Sequence, residues 1–256
     1  MVPVLAFDIE TVPDVEGLRR LHGLGPEMSD RDVAAMAFQL RRQATGGDFL
    51  PLHLHRVLVI SCALRERDSF KVWTIGGADE GEMIQRFFDG IERYTPQLVS
   101  WNGGGFDLPV LHYRGLIHGV RARRYWDLGE DDRDFKWNNY ISRYHSRHLD
   151  LMDLLALYQA RASAPLGELA QLMGLPGKQG LEGAGVWDAY QAGRLAEIRS
   201  YCEADVVNTY LIFLRFQLMR GAFDEAQYRA ETELVRATLG RSGEPHWKEF
   251  LDRWRA

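Results

Sequence analysis

Cysteine is scarce in this chain of 256 residues, which has Cys62 and Cys202 alone. Cys62 stands in an apolar, strand-like run and Cys202 in a helical pattern, so they form neither a disulfide framework nor the spacing of a zinc site. A run of about 18 apolar residues is also lacking, and the N-terminus has neither the basic region nor the cleavage site of a signal peptide. We therefore expect a protein of a reducing compartment, the cytoplasm, with no membrane span.

An excess of positive charge is missing as well. The formal net charge is -5, so the overall electrostatics do not indicate binding of nucleic acid, although local patches and bound divalent cations matter more than the total. Hydrophobic residues make up 46% of the chain and charged residues 26%, which excludes disorder and is sufficient for a sizeable core.

Phosphate-binding loops are absent from the glycine-rich stretch WNGGGFDLPVL (101–111). It follows an apolar run and opens a helical pattern, but the chain has no G-x-x-x-x-G-K-[ST], and G-x-G-x-x-G fails at Leu108. The sequence therefore predicts neither a triphosphate loop nor a dinucleotide loop here.

Apolar periodicity divides the chain into strands and helices. Strands are predicted at residues 2–9, 56–64, 69–75 and 97–101. Helices are predicted at residues 79–94, 106–117, 149–161, 166–174 and 194–219. Residues 13–55 have the pattern of a long, mostly helical insertion, and residues 222–256 that of a helical C-terminal extension. This order predicts one α/β domain, residues 1–256, with a mixed sheet.

Two acids end the first predicted strand, in FDIET (7–11). Successive side chains of a strand point to opposite faces, so Asp8 and Glu10 share a face. Two adjacent carboxylates must protonate, find cations or bind a metal, unless they form a solvated strand end.

Two further acids lie in other elements. Asp107 stands in the first turn of a predicted helix, where the helix dipole alone would favour it. Tyr201 and Asp205 are four residues apart on a predicted helix, so they share a face, either as a surface pair or beside the buried stripe. Taken together, the four carboxylates can converge on two divalent cations, Mg²⁺ or Mn²⁺, which prefer oxygen ligands.

The ordered set of FDIET, N-x3-F-D and Y-x3-D resembles the three exonuclease motifs of the DEDD superfamily, and its tyrosine resembles the DEDDy branch. The branch with histidine would have it where this chain has Ser200. Over about residues 1–220 the chain is most similar to the 3′–5′ proofreading exonuclease domain of family-B DNA polymerases. It resembles a stand-alone form, because only 51 residues follow Asp205.

The resemblance implies a ribonuclease-H-like fold, with a mixed five-stranded sheet flanked by helices. It implies that the four carboxylates bind the metal ions and that Tyr201 orients the attacking water. It further implies that Thr11 and Asn102 contact the 3′-terminal nucleotides and that Phe106 stacks against bases or wedges between them. Lys178, in a glycine-containing loop, resembles a family lysine that stabilises charge on the scissile phosphate. A solvated loop lysine is the alternative.

The segment 121–148 is basic and aromatic. Its cations and rings are Arg121, Arg123, Arg124, Lys136, Arg143, Arg147, Tyr125, Trp126, Trp137, Tyr140 and Tyr144. This composition suits binding of a single strand, and a charged, partly buried surface loop is the alternative. Asp150 and Asp153 are interpreted as a helix N-cap and an early-helix acid.

The sequence thus predicts a metal-dependent 3′–5′ exonuclease that releases nucleoside 5′-monophosphates from single-stranded 3′ ends. DNA is the favoured substrate and RNA the second. A nucleic-acid-binding module without catalysis, and a structural α/β domain with coincidental acids, are the alternatives from other classes.

Overall fold

The computed structural model describes residues 2–177, 180–181 and 183–255, and a five-stranded sheet forms its centre. The strands are β1 (Val4–Pro13), β2 (His55–Glu66), β3 (Ser69–Gly76), β4 (Gln97–Ser100) and β5 (His148–Asp150). Their order across the sheet is β3-β2-β1-β4-β5. β2 is antiparallel to β1 and β3, whereas β4 runs parallel to β1 and β5. The mixed five-stranded sheet of a ribonuclease-H-like fold is therefore confirmed.

Helices flank this sheet on both faces. They are α1 (Val15–His22), α2 (Asp30–Thr45), α3 (Glu80–Tyr94), α4 (Asp107–His118), α5 (Arg123–Trp126), α6 (Leu151–Leu155), α7 (Leu166–Leu172), α8 (Val186–Gln191), α9 (Leu195–Met219), α10 (Glu225–Arg241) and α11 (Pro245–Arg253). Short 3-10 turns occur at Leu52–Leu54, Arg133–Lys136, Ala160–Ala162 and Gly183–Gly185.

The alternation of β1 divides the core in two. Leu5, Phe7 and Ile9 pack against α3 and α4, while Val4 and Ala6 pack on the opposite face with α7, α9, α10 and α11. Each face buries aliphatic and aromatic side chains of several elements, and this burial is the main favourable term in folding. Because Asp8 and Glu10 alternate with Phe7 and Ile9, they lie on the α9 face of the strand.

Helix α9 is buried on nearly every side. Its apolar residues contact β1, β2, β3 and β4 beneath it and α7, α8 and α10 around it. A helix that is hydrophobic all round belongs in a protein interior. The predicted helix at 194–219 is confirmed, and its two polar site residues are held in the interior of the fold.

The helix predicted at 149–161 is correct only over α6, Leu151–Leu155, and wrong over the rest of the range. Strand β5 occupies His148–Asp150, α6 ends at Leu155, and Leu157 and Tyr158 have left-handed φ angles of 51° and 60°. Such angles are unfavourable for bulky residues and cannot continue an α-helix. The three residues of β5 are too few to show an alternating pattern, so periodicity does not predict this strand.

The segment 13–55 and the C-terminal extension are both helical. Helices α1 and α2 share a small core around Leu18 and Val33, and α10 and α11 pack against α9. Arg65 of β2 forms an ion pair with Glu231 of α10, with 2.6 Å between Nη2 and Oε1. No helix in the described part of the chain is long and apolar enough to cross a membrane.

Candidate active site

Strand β1 carries the first two carboxylates beyond the point where it pairs with β4. Glu10 is buried and Asp8 is partly buried. The pairing with β2 shifts register between Glu10 and Thr11. Such a bulge bends a strand and re-aims its side chains. The alternative of a solvated strand end is therefore wrong for Glu10.

Helix α4 brings Asp107 against this strand. Its Oδ1 accepts a hydrogen bond of 3.0 Å from the backbone N–H of Ile9, the residue between Asp8 and Glu10. Asp107 is 4% exposed and is the first residue of α4. The helix position favours the carboxylate, as expected from the dipole, and the bond to β1 fixes it beside the other two acids.

Helix α9 contributes the remaining predicted residues. Tyr201 and Asp205 are both buried and hydrogen-bonded to each other through their side chains. The alternative of a surface pair is therefore wrong. Cys202, which the sequence did not indicate, lies between them on the helix and directs its Sγ at Asp8, 3.3 Å from Oδ2 and 3.5 Å from the backbone oxygen.

The four acids influence one another strongly. Burial raises the pKa of Asp8 well above its usual range, and the charges of Asp107, Glu10 and Asp205 raise it further. Burial also raises the pKa of Asp107 to about 7, against the hydrogen bonds from its own N–H and that of Ile9. Burial, followed by the charges of Asp205, Glu10 and Asp8, raises the pKa of the Tyr201 hydroxyl. The five side chains thus form one electrostatic cluster.

The cluster has the donor set of a site for hard cations. Ligand atoms of Asp8, Glu10 and Cys202 all lie within 4.8 Å of one another. Carboxylate oxygens are the ligands that Mg²⁺ and Mn²⁺ prefer. Burial and the acid charges raise the pKa of Cys202, so its sulfur remains a protonated donor to Asp8. Bound divalent cations would offset the repulsion between the carboxylates, which contributes to the raised pKa of Asp8. The residues present therefore fit such ions.

The glycine-rich loop before α4 is held by Asp150. Its Oδ1 accepts from the N–H of Asn102 at 2.9 Å, and its Oδ2 from the N–H of Gly104 at 2.8 Å. Asn102 has a φ of 65°, and a Cβ on Gly105 would lie 2.4 Å from its Oδ1. A side chain at position 105 would therefore displace the side chain of Asn102.

Asp150 also accepts from the N–H of Asp153 as the N-cap of α6, so the N-cap interpretation is confirmed. Its second role, at the glycine-rich loop, was not predicted. A glycine-rich turn leaves backbone N–H groups that need hydrogen-bond acceptors, so the sequence does indicate that some acceptor binds this loop. The fold is needed to identify Asp150 as that acceptor.

Thr11 and Phe106, two of the residues predicted to contact nucleotides, share an aromatic corner. Thr11 Oγ1 lies 2.9 Å from Nδ1 of His55, and the His55 ring packs edge-on against Phe106 with centroids 5.3 Å apart. Phe49, which is 59% exposed, stands 5.8 Å from Phe106. Sequence reasoning missed His55 and Phe49, because neither belongs to a motif. Lys178 lies outside the described residues.

The segment 121–148 is largely paired within itself. Arg123 binds Asp131, Arg124 binds Asp132, and the guanidinium of Arg147 lies 3.9 Å from the ring centroid of Phe135. Tyr125 and Tyr140 are buried in the core on the α3 face. For these residues the alternative of a charged, partly buried loop is the correct one. Trp126, Trp137 and Tyr144 remain exposed.

Comparison with known proteins adds the family. Residues 47–254 match the model of a family described as predicted 3′–5′ exonucleases related to the exonuclease domain of PolB. That match spans most of the chain, and the chain belongs to this family. Membership confirms the relationship to the family-B polymerase exonuclease domain and assigns the chain to a class of nucleases, the coarser part of the predicted function.

A solved structure with a similar course of the chain is that of the family B DNA polymerase from the hyperthermophilic archaeon Pyrobaculum calidifontis. The sequences are 18% identical and the TM-score is 0.49, with 98% of this chain and 27% of the polymerase chain covered. This chain thus spans about a quarter of that polymerase's length. No curated protein matches the chain significantly.

Proposed function

We propose that the protein is a metal-dependent 3′–5′ exonuclease of the DEDDy type that hydrolyses single-stranded DNA to nucleoside 5′-monophosphates. One observation carries the proposal. Four carboxylates and a tyrosine from β1, α4 and α9 lie together in one cluster, where Glu10, Asp107 and Asp205 raise the pKa of Asp8 beyond the effect of burial, and the acids of β1 and α9 raise that of Tyr201. Perturbed groups of this kind, gathered at one place, mark functional sites.

Asp8, Glu10, Asp107 and Asp205 would hold two divalent cations, Mg²⁺ or Mn²⁺. The chemistry supplied by such a pair, when bound, is the acidification of a water molecule and the stabilisation of the attacking and leaving oxygens in an in-line phosphoryl displacement. The protein's own part is to present these carboxylates in fixed positions. The hydrogen bond from Ile9 N–H to Asp107 and the rigid α9 support that role.

Tyr201 would orient the attacking water. Its hydroxyl stays protonated because burial and the neighbouring acids raise its pKa, so it can donate a hydrogen bond throughout the physiological range. A positioned hydroxyl of this kind contributes through orientation. Asn102, Thr11 and Phe106 would hold the terminal nucleotides, and Lys178 would stabilise charge on the scissile phosphate.

Digestion of labelled oligonucleotides tests the proposal. With Mg²⁺ or Mn²⁺, a 5′-labelled single-stranded DNA should give a ladder and a 3′-labelled one should give a mononucleotide first. A chelator should stop both reactions. Cuts in a circular single strand would contradict an exonuclease.

The same assay separates the alternatives. Faster degradation of an RNA oligomer of the same sequence would make the protein a 3′–5′ exoribonuclease. Binding of both oligomers without any product under all metal conditions would instead indicate a binding module that has lost catalysis.

A further inference from the structure

Tyr144 is an exposed aromatic residue beside the glycine-rich loop. The residue is 76% exposed, whereas Tyr125 and Tyr140 of the same segment are buried. The apolar surface of a large ring is unfavourable in water unless a ligand covers it. An exposed ring beside a candidate active site is therefore a candidate contact for a base of the substrate.

The ring of Tyr144 is supported from one side. Tyr158 packs edge-to-face against it, with centroids 5.3 Å apart and an interplanar angle of 71°. The hydroxyl of Tyr158 donates to the backbone oxygen of Arg143 at 3.2 Å. The Arg143 guanidinium lies 4.6 Å from the Tyr158 ring centroid and pairs with Asp153 at 2.8 Å. These contacts hold Tyr158 in place, and its ring supports one side of Tyr144.

The backbone below Tyr158 is strained. Leu157 and Tyr158 are successive bulky residues with left-handed φ angles of 51° and 60°. Such conformations are unfavourable for residues with large side chains, and they persist where the surroundings enforce them, often at ligand clamps. The strain places Tyr158 behind Tyr144, where a continued helix would carry it away.

A cavity of about 140 Å³ connects these rings to the glycine-rich loop. Its lining includes Tyr144, Tyr158, Gly104 and Asp150. Gly104 is three residues before Asp107, and Asp150 holds the loop amides. The cavity therefore shares a wall with the loop that leads into the acidic cluster.

We propose that Tyr144 and the adjoining cavity form a stacking subsite for a base of the single-stranded substrate, upstream of the nucleotides at the 3′ end. This inference rests on the proposed exonuclease function. A base stacks on an aromatic face whatever its identity, so the subsite contributes affinity for the strand without sequence preference. Arg143, with a side chain 50% exposed and paired with Asp153, also lines the cavity.

The test compares Tyr144→Ala with wild type on an oligothymidylate of about 12 nucleotides, within the range of single-strand site sizes, and on a thymidine dinucleotide. On the longer substrate, KM and the dissociation constant from fluorescence anisotropy should rise about 5- to 150-fold, the range for loss of one stacked base, while kcat stays unchanged. Because the proposal places the subsite upstream of the two 3′-terminal nucleotides, both variants should have the same kcat/KM on the dinucleotide.

Two control variants separate stacking from other effects. Tyr144→Phe keeps the ring and should retain wild-type KM. Tyr113→Ala removes another exposed tyrosine, which contacts His53 and does not line the cavity, and it should leave KM unchanged. The subsite proposal would be overturned if Tyr113→Ala raised KM as much as Tyr144→Ala, or if Tyr144→Ala left KM unchanged. Thermal unfolding should be the same for all variants.

The outcome also distinguishes this inference from the proposed function. If wild type releases no mononucleotide but binds the oligomer, and Tyr144→Ala weakens that binding, the exonuclease proposal fails and the subsite stands. If wild type degrades the oligomer and Tyr144→Ala does so with the same KM, the subsite fails alone.

Discussion

At the scale of single residues, Ile9 explains how acids that repel one another are kept together. Its apolar side chain is buried between α3 and α4, while its backbone N–H binds Asp107 between the carboxylates of Asp8 and Glu10. The free energy of burying the Ile9 side chain thus helps to hold the acidic side chains in place, because the same residue serves both purposes.

Removal of an acid should affect the reaction differently from removal of the tyrosine hydroxyl. Asp8→Ala deletes a proposed cation ligand and should abolish activity, because charge stabilisation and water activation are lost together. Tyr201→Phe deletes an orienting hydroxyl and should lower the single-turnover rate by about 10²–10⁴-fold, with the same dependence on metal concentration. Tyr190→Phe, which loses a hydroxyl bonded to Arg56 outside the cluster, should retain the wild-type rate. A wild-type rate in Tyr201→Phe would reduce Tyr201 to a packing residue.

The raised pKa of Asp107 predicts how stability depends on pH without metal. Between the ordinary value of 3.8 and the folded value of about 7, the folded protein binds more protons than the unfolded chain, so the free energy of unfolding decreases as pH rises. Asp107→Asn should therefore melt at a higher temperature than wild type at pH 8 in EDTA, and the two should converge near pH 4.

One pKa unit corresponds to about 1.4 kcal/mol, and each kcal/mol moves the melting temperature of a domain of this size by about 2–4 °C. Mg²⁺ should stabilise wild type at pH 8 and the variant much less. A wild-type protein that becomes more stable than Asp107→Asn as pH rises in EDTA would contradict this account.

The acidic residues of the site could be predicted from the sequence, but the residues that hydrogen-bond to the site residues could not. Asp8, Glu10, Asp107 and Asp205 stand in short motifs whose spacing is visible along the chain. Cys202, His55 and Asp150 act through partners 194, 44 and 48 positions away, at Asp8, Thr11 and Asn102. Such contacts follow from the sheet order and strand register, which periodicity alone does not determine.

At the scale of elements, long periodic segments were predicted and short irregular ones were not. The helices at 80–94 and 195–219 and the β2–β3 hairpin differ from their predicted bounds by a few residues at most. Strand β5 and helix α6 have three and five residues, too few to show a period. Tertiary contacts, such as those of Asp150 and Tyr158, determine the conformation there.

The hydrogen bonds from the glycine-rich loop to Asp150 should affect kcat as well as stability. Asp150→Ala removes an N-cap and two loop hydrogen bonds, and we expect a loss of about 1–3 kcal/mol in stability together with a clear decrease in kcat. Asp79→Ala is the matched control, since Asp79 caps α3 by accepting from Glu82 N–H. It should lose comparable stability and keep its kcat. Equal kcat values in the two variants would show that the loop holds its position without Asp150.

At the scale of the whole molecule, Glu203 joins the sheet to the C-terminal extension. Its carboxylate accepts from Thr74 of β3 at 2.6 Å and lies 2.9 Å from Nε2 of His246 on α11, while Arg199 of α9 pairs with it at 3.0 Å. Burial would raise the pKa of Glu203, but the close contacts with His246, Thr74 and Arg199 outweigh it and lower the pKa. The extension is therefore connected to the helix that carries Tyr201 and Asp205.

Glu203→Gln should destabilise the fold at neutral pH and less so in acid. The lowered pKa means that the carboxylate contributes stability above its unfolded pKa of about 4.5, and this contribution is lost as pH falls through the folded value. We expect a loss of about 1–3 kcal/mol at pH 7, measured by chemical denaturation, and a smaller loss near pH 4. Glu249→Gln, at an exposed pair with Arg253, should change stability little at either pH.

Helix α9 is both the centre of the core and the carrier of Tyr201 and Asp205. Amide hydrogens in such an element exchange with solvent only when the whole domain unfolds, whereas those of surface loops exchange through small local openings. The two α9 side chains should therefore keep their positions in every partially open form of the protein, and the glycine-rich loop and the aromatic corner should open first. Loss of activity on mild heating should then begin with weaker substrate binding, while the acidic cluster should persist until the domain melts.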